Sequence, residues 1–167
     1  TGTWALASAP TLGAAVALIA ARAGVSQPVI WIAAYAMLVS QLAHERVVLI
    51  GMPVSMRKRA SAEGKQADPL CGYFLSTQPL PIDTDRVSTV DHYLQHCQLA
   101  LGEAEEASHL HLDEYASALG VDSPDGGPPL IQALLTFGRR NMGAVSLAGM
   151  RLMPRDIHPP QPKFPLT

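Results

Sequence analysis

The sequence carries little charge of either sign. Charged residues make up 16% of its 167 positions, and 12 basic residues against 14 acidic ones leave a formal net charge of −2. A soluble domain usually has about 25% charged residues. With no basic excess and no clusters of arginine with aromatic residues, the composition argues against nucleic-acid binding. The apolar share of 48% predicts a large surface that something else normally covers.

Cysteine is equally scarce. The chain has two, Cys71 and Cys97, which are too few for a disulfide framework or for a zinc site built on cysteine alone. We interpret both as reduced thiols of a cytoplasmic protein.

Long hydrophobic runs are missing too. The apolar runs Leu12–Ala21 and Val29–Val39 are shorter than the roughly 18 residues that indicate a membrane span, and polar residues separate them. No basic segment precedes an apolar run and no cleavage-like signature is present, so the sequence predicts neither a span nor a signal peptide. The first residue is Thr1 rather than Met, which favours an excerpt of a longer protein over a processed product.

Two histidine pairs raise the question of a metal site. His92 and His96 lie four apart on a predicted helix, roughly opposite its apolar stripe, and no third ligand is evident. His109 and His111 lie two apart near Asp113, and no Glu or Cys partner can be named for them. We therefore predict a solvated helix face for the first pair and no metal site at either.

Local signals predict four helices. Pro10 suits a first helical turn because its missing N–H would be unpaired there, and Gly24 suits a helix end. Ser26 is the predicted N-cap of the second helix, which is apolar on all sides over Val29–Val39 and should be buried on most of them. The predicted helices are Pro10–Arg22, Gln27–Ala43, Thr89–Ala107 and Asp113–Leu119.

The third predicted helix has the clearest apolar stripe. Ser88 and Asp91 at its start have the spacing of a capping box. Five residues at helical spacing should lie on its buried face: Val90, Tyr93, Leu94, Cys97 and Leu101.

Strand patterns alternate with the helices and predict an α/β fold. Val47–Ile50 is a continuous apolar run of the kind that a sheet covers on both faces. Gly72–Gln78 and Leu130–Phe137 should join it in one sheet. Ala144–Leu152 is a further strand candidate, and Thr3–Ser8 is a candidate for a short strand.

The second of these strands has the most distinctive sequence. Its alternation places Phe74, Ser76 and Gln78 on one face. Pro79 and Pro81 follow at a spacing of two, so both missing N–H groups lie on the same side of the chain, and any ladder on that side should stop there because proline has no N–H to donate. An aromatic side chain beside two hydrogen-bonding groups suits an amide-containing ligand better than a metal or phosphate. The alternative is an ordinary strand with Phe74 in the core.

A basic triplet, Arg57-Lys58-Arg59, lies between the first two strands near the start of a polar segment. It fits either a solvated loop or a contact with an anion. The solvated loop is the preferred interpretation.

Five segments, in order along the chain, resemble the condensation domain of non-ribosomal peptide synthetases. Leu49–Arg57 is similar to the family's Val-Val-Ile-Gly-Thr-Pro-Val-Ser-Gly-Arg, and Gly72–Thr77 is similar to Gly-x-Phe-Val-Asn-Thr. Ala118–Val121 and Pro129–Gln132 resemble the pieces Ala-Leu-Gly-Val and Pro-Leu-Phe-Gln, and Lys163–Thr167 resembles Lys-Phe-Asp-Leu-Thr. The ordered set, rather than any single motif, carries the resemblance, which spans nearly the whole chain.

The chain departs from the family pattern at several points. Ser76 stands where the family usually has Asn, and Pro81 stands where Arg is common. The His-Gln-Asp-x-Pro-Phe-Glu motif is scarcely recognisable in Ser108–Asp113, and Asp122–Pro128 replaces an Arg-Asp-x-Ser-Arg motif. The family's catalytic His-His-x-x-x-Asp-Gly motif is absent from the sequence, since none of the six histidines has another beside it.

The resemblance implies both a fold and a reaction. The fold is α/β and chloramphenicol-acetyltransferase-like, with residues 1–167 forming part of a C-terminal lobe, a mixed β-sheet with packed helices. The reaction is amide (peptide) bond formation between an acyl or peptidyl donor and an aminoacyl acceptor, each tethered to a carrier protein. The alternatives are a carrier-independent acyltransferase, an epimerisation domain of the same superfamily, and a degenerate, non-catalytic scaffold or docking domain.

Under the condensation interpretation this chain supplies one wall of a substrate tunnel and no catalytic residue. No cofactor should bind it directly, because the phosphopantetheine arm arrives on carrier proteins. The expected partners are the N-terminal lobe of the same domain, carrier proteins and adenylation modules in the cytoplasm, without nucleic acid or membrane. The expected substrate-binding residues are Gly72, Phe74, Ser76, Thr77 and Gln78.

Overall fold

The computed structural model describes residues 9–57, 72–85, 89–121, 130–138 and 145–153. Four helices and five strands lie in these ranges. The helices are α1 (Pro10–Ala23), α2 (Gln27–Ala43), α3 (Val90–Glu106) and α4 (Leu112–Leu119). The strands are β1 (Val47–Ser55), β2 (Leu75–Asp83), β3 (Ala133–Leu134), β4 (Val145–Leu147) and β5 (Met150–Leu152).

The first two helices form where local signals predict them. α1 starts at Pro10 and ends at Ala23, and its C-cap Gly24 has a φ of 68°, a left-handed conformation that glycine adopts without a steric penalty. Ser26 occupies the N-cap position of α2, but its hydroxyl makes no capping bond. Its backbone N–H instead donates to Gln98 Oε1 at 2.9 Å. Gln95 Nε2 donates to the carbonyl of Ala23 at 2.7 Å, so α3 is hydrogen-bonded to both ends of the α1–α2 turn.

The second helix buries one face only. Its buried residues are Val29, Ile32, Ala33 and Ala36, whereas Leu42 is 67% exposed and Met37 and Leu38 are also exposed. The expectation of burial on most sides is therefore wrong for the described part of the chain. Sheet and α3 residues share a core with one side of α2, and nothing described covers the other.

The three predicted strands lie in one sheet, in the order β2-β1-β3, which confirms that part of the prediction. β2 pairs antiparallel with β1 from Val47↔Asp83 to Ser55↔Leu75. β3 is shorter than predicted and pairs parallel with β1 through Ile50↔Ala133 and Gly51↔Leu134. The sheet is therefore mixed, and β2 lies at its edge.

β2 continues through both prolines to Asp83 and does not end at Gln78 as predicted, because its ladder with β1 lies on the side away from the proline nitrogens. Pro79 pairs with Gly51 and Pro81 pairs with Leu49. At one end of the ladder the N–H of Met56 donates to the carbonyl of Phe74 at 2.9 Å. Since bonded and non-bonded pairs alternate along an antiparallel ladder, this bond identifies which of the following pairs are hydrogen-bonded. Both prolines fall in non-bonded pairs, so their nitrogens point to the outer edge, where an edge strand tolerates proline.

The sheet packs against the helices through its inner face. Val48 and Ile50 of β1 and Leu80 and Ile82 of β2 are buried in one core with α2 and α3. Val47, by contrast, is 53% exposed. The expectation that the first strand is covered on both faces is wrong at this end, because among the described residues the helices pack on one side of the sheet.

A glycine lets β3 approach β1. A Cβ on Gly51 would lie 2.6 Å from Ile131 Cγ2 and 3.0 Å from Leu134 Cδ1. The Leu135 N–H donates to the Gly51 carbonyl at 2.8 Å. Any side chain at Gly51 would therefore either force Ile131 out of its rotamer or push β3 away from its hydrogen bond.

The third helix follows its predicted stripe with two corrections. Tyr93, Leu94, Cys97 and Leu101 are buried as predicted, but Val90 is 71% exposed because it lies at the first turn. The N-cap is Thr89, one residue later than the predicted Ser88, and its hydroxyl accepts the N–H of His92 at 3.3 Å.

The remaining elements are short. α4 ends at Gly120 with φ of 64°, as predicted. The predicted single strand over residues 144–152 is a hairpin of β4 and β5, because Ala148 and Gly149 both have positive φ and form a tight turn. Thr3–Ser8, Lys58, Arg59, Cys71 and residues 122–128 and 163–167 lie outside the described residues.

Within the described ranges, no single helix is long and apolar enough to cross a membrane. α1 and α2 together reach the required hydropathy, but the chain bends by 101° between them.

Candidate functional site

The five expected substrate-binding residues lie on β2 and on the segment leading into it. Gly72 is exposed and a Cβ on it would lie 3.0 Å from the Phe74 ring, so glycine allows that ring to lie close to the backbone. The guanidinium of Arg57 lies 4.3 Å from the centroid of the Phe74 ring, a cation–π contact. The first residue of the basic triplet therefore packs against the start of the candidate site.

Ser76 and Gln78 face inward and are satisfied by the chain itself. Ser76 is 5% exposed and Gln78 is fully buried. Gln78 Nε2 donates to Ser76 Oγ at 2.7 Å and to the Leu110 carbonyl at 2.8 Å. Its Oε1 accepts from the Tyr115 hydroxyl at 3.0 Å, and Ser76 Oγ donates to the same Leu110 carbonyl at 3.2 Å. We call Ser76, Gln78, Leu110 and Tyr115 the polar clasp.

Tyr115 acts in the clasp as a donor. Burial, and then the charge of neighbouring Glu114, raises the pKa of the Tyr115 hydroxyl above its ordinary value of 10.0. The phenol therefore keeps its proton at neutral pH and donates to Gln78.

Thr77 lies between the two inward residues and faces the other way. It is half-buried, and it falls in a non-bonded pair with Pro53. Its backbone N–H and carbonyl therefore point away from β1, as do those of Leu75. Among the described residues neither N–H has a partner. Asp83, further along the same edge, donates its N–H to His96 Nε2 at 3.3 Å.

The five residues thus do not form one surface. Gly72 and Phe74 precede β2, Thr77 belongs to its outer edge, and Ser76 and Gln78 point into the protein. Sequence reasoning missed Leu110 and Tyr115, which complete the clasp. No local signal marks them, because one contributes a backbone carbonyl and the other lies 37 residues from Gln78.

In the described ranges, His96 and His111 take part in hydrogen bonds at the edge of β2 and at the start of α4. His96 uses Nε2 to accept the Asp83 N–H, so it caps the strand edge. His109 and His111 are exposed on either side of Leu110, and the His111 N–H donates to Glu114 Oε2 at 2.6 Å at the start of α4. No group of three His, Cys, Asp or Glu among the described residues could hold a metal ion.

The buried thiol of Cys97 lies on α3 in the core. Burial raises the pKa of this thiol from 9.0 to about 11, although a hydrogen bond with Tyr93 lowers it in part. A thiol with this pKa stays protonated at neutral pH and is a poor nucleophile. Cys97 is therefore a core residue.

Solved structures share the fold. The X-domain from teicoplanin biosynthesis matches with a TM-score of 0.60 at 20% identity, covering 71% of this chain and 25% of that chain. A four-domain nonribosomal peptide synthetase matches with a TM-score of 0.67 at 17% identity, covering 80% of this chain and 10% of that one. The condensation domain from Monacolin K polyketide synthase MokA matches with a TM-score of 0.62 at 18% identity, covering 75% and 28%.

The chain spans between 10% and 28% of the length of these proteins. Identities this low show the fold, which is the mixed α/β architecture expected from the sequence. A search of curated proteins finds no match. The model of the family described as Condensation domain, however, matches residues 2–161, nearly the whole sequence. The chain therefore belongs to the condensation-domain family.

Proposed function

We propose that this chain is one lobe of a condensation domain that forms an amide bond between a carrier-tethered acyl or peptidyl donor and a carrier-tethered aminoacyl acceptor. Family membership over residues 2–161 supports the proposal. The structural observation that carries it is the outer edge of β2, which presents the N–H groups of Leu75 and Thr77 with no partner among the described residues. An extended chain of amides can pair with such an edge.

The edge suits a short amide-containing arm. Beyond Thr77, Pro79 and Pro81 offer outward carbonyls but no N–H, so a full neighbouring strand cannot continue along β2. A phosphopantetheine arm has two amides, which match the short stretch that retains both donors and acceptors. The two prolines thus favour a ligand of limited length over another strand.

The proposed chemistry requires positioning above all. The acceptor amine attacks the donor thioester carbonyl, the C–N bond forms and the C–S bond breaks. The thiol leaves with the proton that the amine gives up. Holding both arms in reach of each other removes a large part of the entropic barrier. This chain contributes a wall, and the proton-transfer group belongs to the family's paired-histidine motif, which this sequence does not contain.

The uncovered apolar surfaces support a partner lobe. Met37, Leu38 and Leu42 on α2 and Val47 on β1 are exposed. Large apolar side chains left exposed are typical of surfaces that a partner covers when they lie together. We therefore assign the N-terminal lobe of the same domain as the partner, with carrier proteins and adenylation modules as the wider assembly.

The test is a substitution that alters only the outer edge. Thr77→Pro removes the outward N–H without touching the β1 ladder, because position 77 has the same phase as the prolines already in β2. Ser76, which precedes it, is in the extended conformation that proline requires. We expect Thr77→Pro in the full-length protein to lower amide formation from two loaded carriers by about tenfold or more.

The matched control is Thr77→Val, which keeps the N–H and should retain most of the turnover. Products are measured by mass spectrometry, and folding is monitored by circular dichroism. Equal turnover by the proline variant and the wild type would remove the edge from the site. Turnover with free acyl donors but not with carriers would favour the carrier-independent acyltransferase, and complete inactivity of the wild type would favour the scaffold.

A further inference from the structure

The polar clasp is held together by the hydrogen bonds of one buried side chain, that of Gln78. The Gln78 amide is fully buried, and it makes one bond within β2 and two to distant parts of the chain. These use both N–H donors and one acceptor position of the side chain. A buried amide with this many partners holds one orientation, because losing any partner would leave a polar atom unsatisfied.

The clasp also attaches α4 to the sheet. Of the residues of α4, only Ala116 is buried. Apolar packing therefore holds this helix weakly, and the bond from Tyr115 to Gln78 and the bonds from β2 to Leu110 carry much of the attachment. The position of α4 and the geometry of β2 are thus linked through one glutamine.

The outer edge of β2 depends on the same glutamine. Among the described strands, β2 has a neighbour on one side only. The peptide groups of Thr77 point to the open side, and Ser76 and Gln78 lie immediately before and after it with side chains fixed on the inner face. The clasp therefore restrains the β2 backbone at Thr77, where a strand on the open side of β2 would otherwise restrain it.

We propose that Gln78 is a positioning residue that holds the outer edge of β2 in the geometry an amide-containing arm requires. This inference rests on the proposed function. It differs from a direct substrate contact, because the Gln78 side chain points away from the edge and is already satisfied. Its loss should weaken binding of the arm and leave the chemical step little changed.

The experiment compares Gln78→Ala with Gln95→Ala in the full-length protein. Gln95 also makes one strong side-chain bond, to Ala23, but it lies on α3 at the α1–α2 turn. We expect Gln78→Ala to raise KM for the loaded acceptor carrier about tenfold with kcat within about twofold of wild type. Gln95→Ala should lower the melting temperature and leave KM unchanged.

A second variant covers the case in which Gln78→Ala does not fold. Tyr115→Phe removes only the hydroxyl that donates to Gln78 Oε1 and keeps the ring. It should raise KM by about threefold, since two of the three Gln78 bonds remain. If the folded Gln78 and Tyr115 variants both keep the wild-type KM, Gln78 is a structural residue only and the inference is wrong.

A binding measurement separates this inference from the proposed function. If the wild type forms no amide from loaded carriers, the proposed function fails, and the affinity for free phosphopantetheine then decides the inference. Binding about tenfold weaker to Gln78→Ala than to the wild type supports it. Equal binding, or no binding by the wild type, overturns it.

Discussion

Gly51→Ala should destabilise the protein at the β1–β3 contact. The added Cβ would lie 2.6 Å from Ile131 Cγ2 and 3.0 Å from Ile131 Cδ1. Ile131 is 1% exposed, so its side chain cannot turn into solvent. Either Ile131 leaves its rotamer or β3 moves and lengthens the 2.8 Å bond from Leu135 to Gly51.

The two ways of relieving the clash set the size of the effect. Overpacking a filled site costs about 1–3 kcal/mol, and losing the Leu135 bond costs about 0.5–1.5 kcal/mol. Replacing glycine also lowers the conformational entropy of the unfolded chain, which stabilises the folded protein by about 0.4–1 kcal/mol. Subtracting that gain from the overpacking cost leaves a net loss of up to about 2.6 kcal/mol in the free energy of unfolding, with a central value of about 1 kcal/mol.

Urea denaturation of the full-length protein measures this loss, and hydrogen exchange at the Leu135 amide locates it. Gly13→Ala and Gly102→Ala are the matched controls, because nothing lies within 4 Å of a Cβ at either helical position. Each should gain up to about 1 kcal/mol. A Gly51→Ala variant as stable as the wild type, with Leu135 still protected, would refute the steric argument.

Two further predictions concern α3. Gln95→Ala and Gln98→Ala should each lower the free energy of unfolding by about 1 kcal/mol. Gln95→Ala leaves the Ala23 carbonyl without its partner at the α1–α2 turn, and Gln98→Ala does the same to the Ser26 N–H. Thermal denaturation measures the loss, and variants as stable as the wild type would contradict the prediction. The raised pKa of Cys97 means that the folded state keeps a proton which the unfolded state loses, so stability is full below pH 9.0 and falls as pH rises towards about 11. Relative to Cys97→Ala, the wild type should lose on the order of 2 kcal/mol across that window, and parallel pH profiles of the two proteins would show that Cys97 does not titrate in this way.

The sequence by itself determined the helices and which three segments share the main sheet. Pro10, Gly24 and Gly120 mark helix ends through backbone preferences that act within a few residues. The alternation in β2 placed Ser76 and Gln78 on one face correctly, because side chains in a strand alternate whatever surrounds them. The ordered motifs also identified the family, which the match over residues 2–161 confirms.

Only the tertiary structure determined which residues the faces and the edge of β2 contact. The effect of Pro79 and Pro81 depends on the pairing phase with β1 and on β2 being at the edge, and neither is encoded near the prolines. Two of the three partners of Gln78 lie 32 and 37 residues away, so its burial depends on where α4 packs. Short-range preferences fix conformation over about four residues, whereas the candidate site is made by contacts that form only when distant segments pack together.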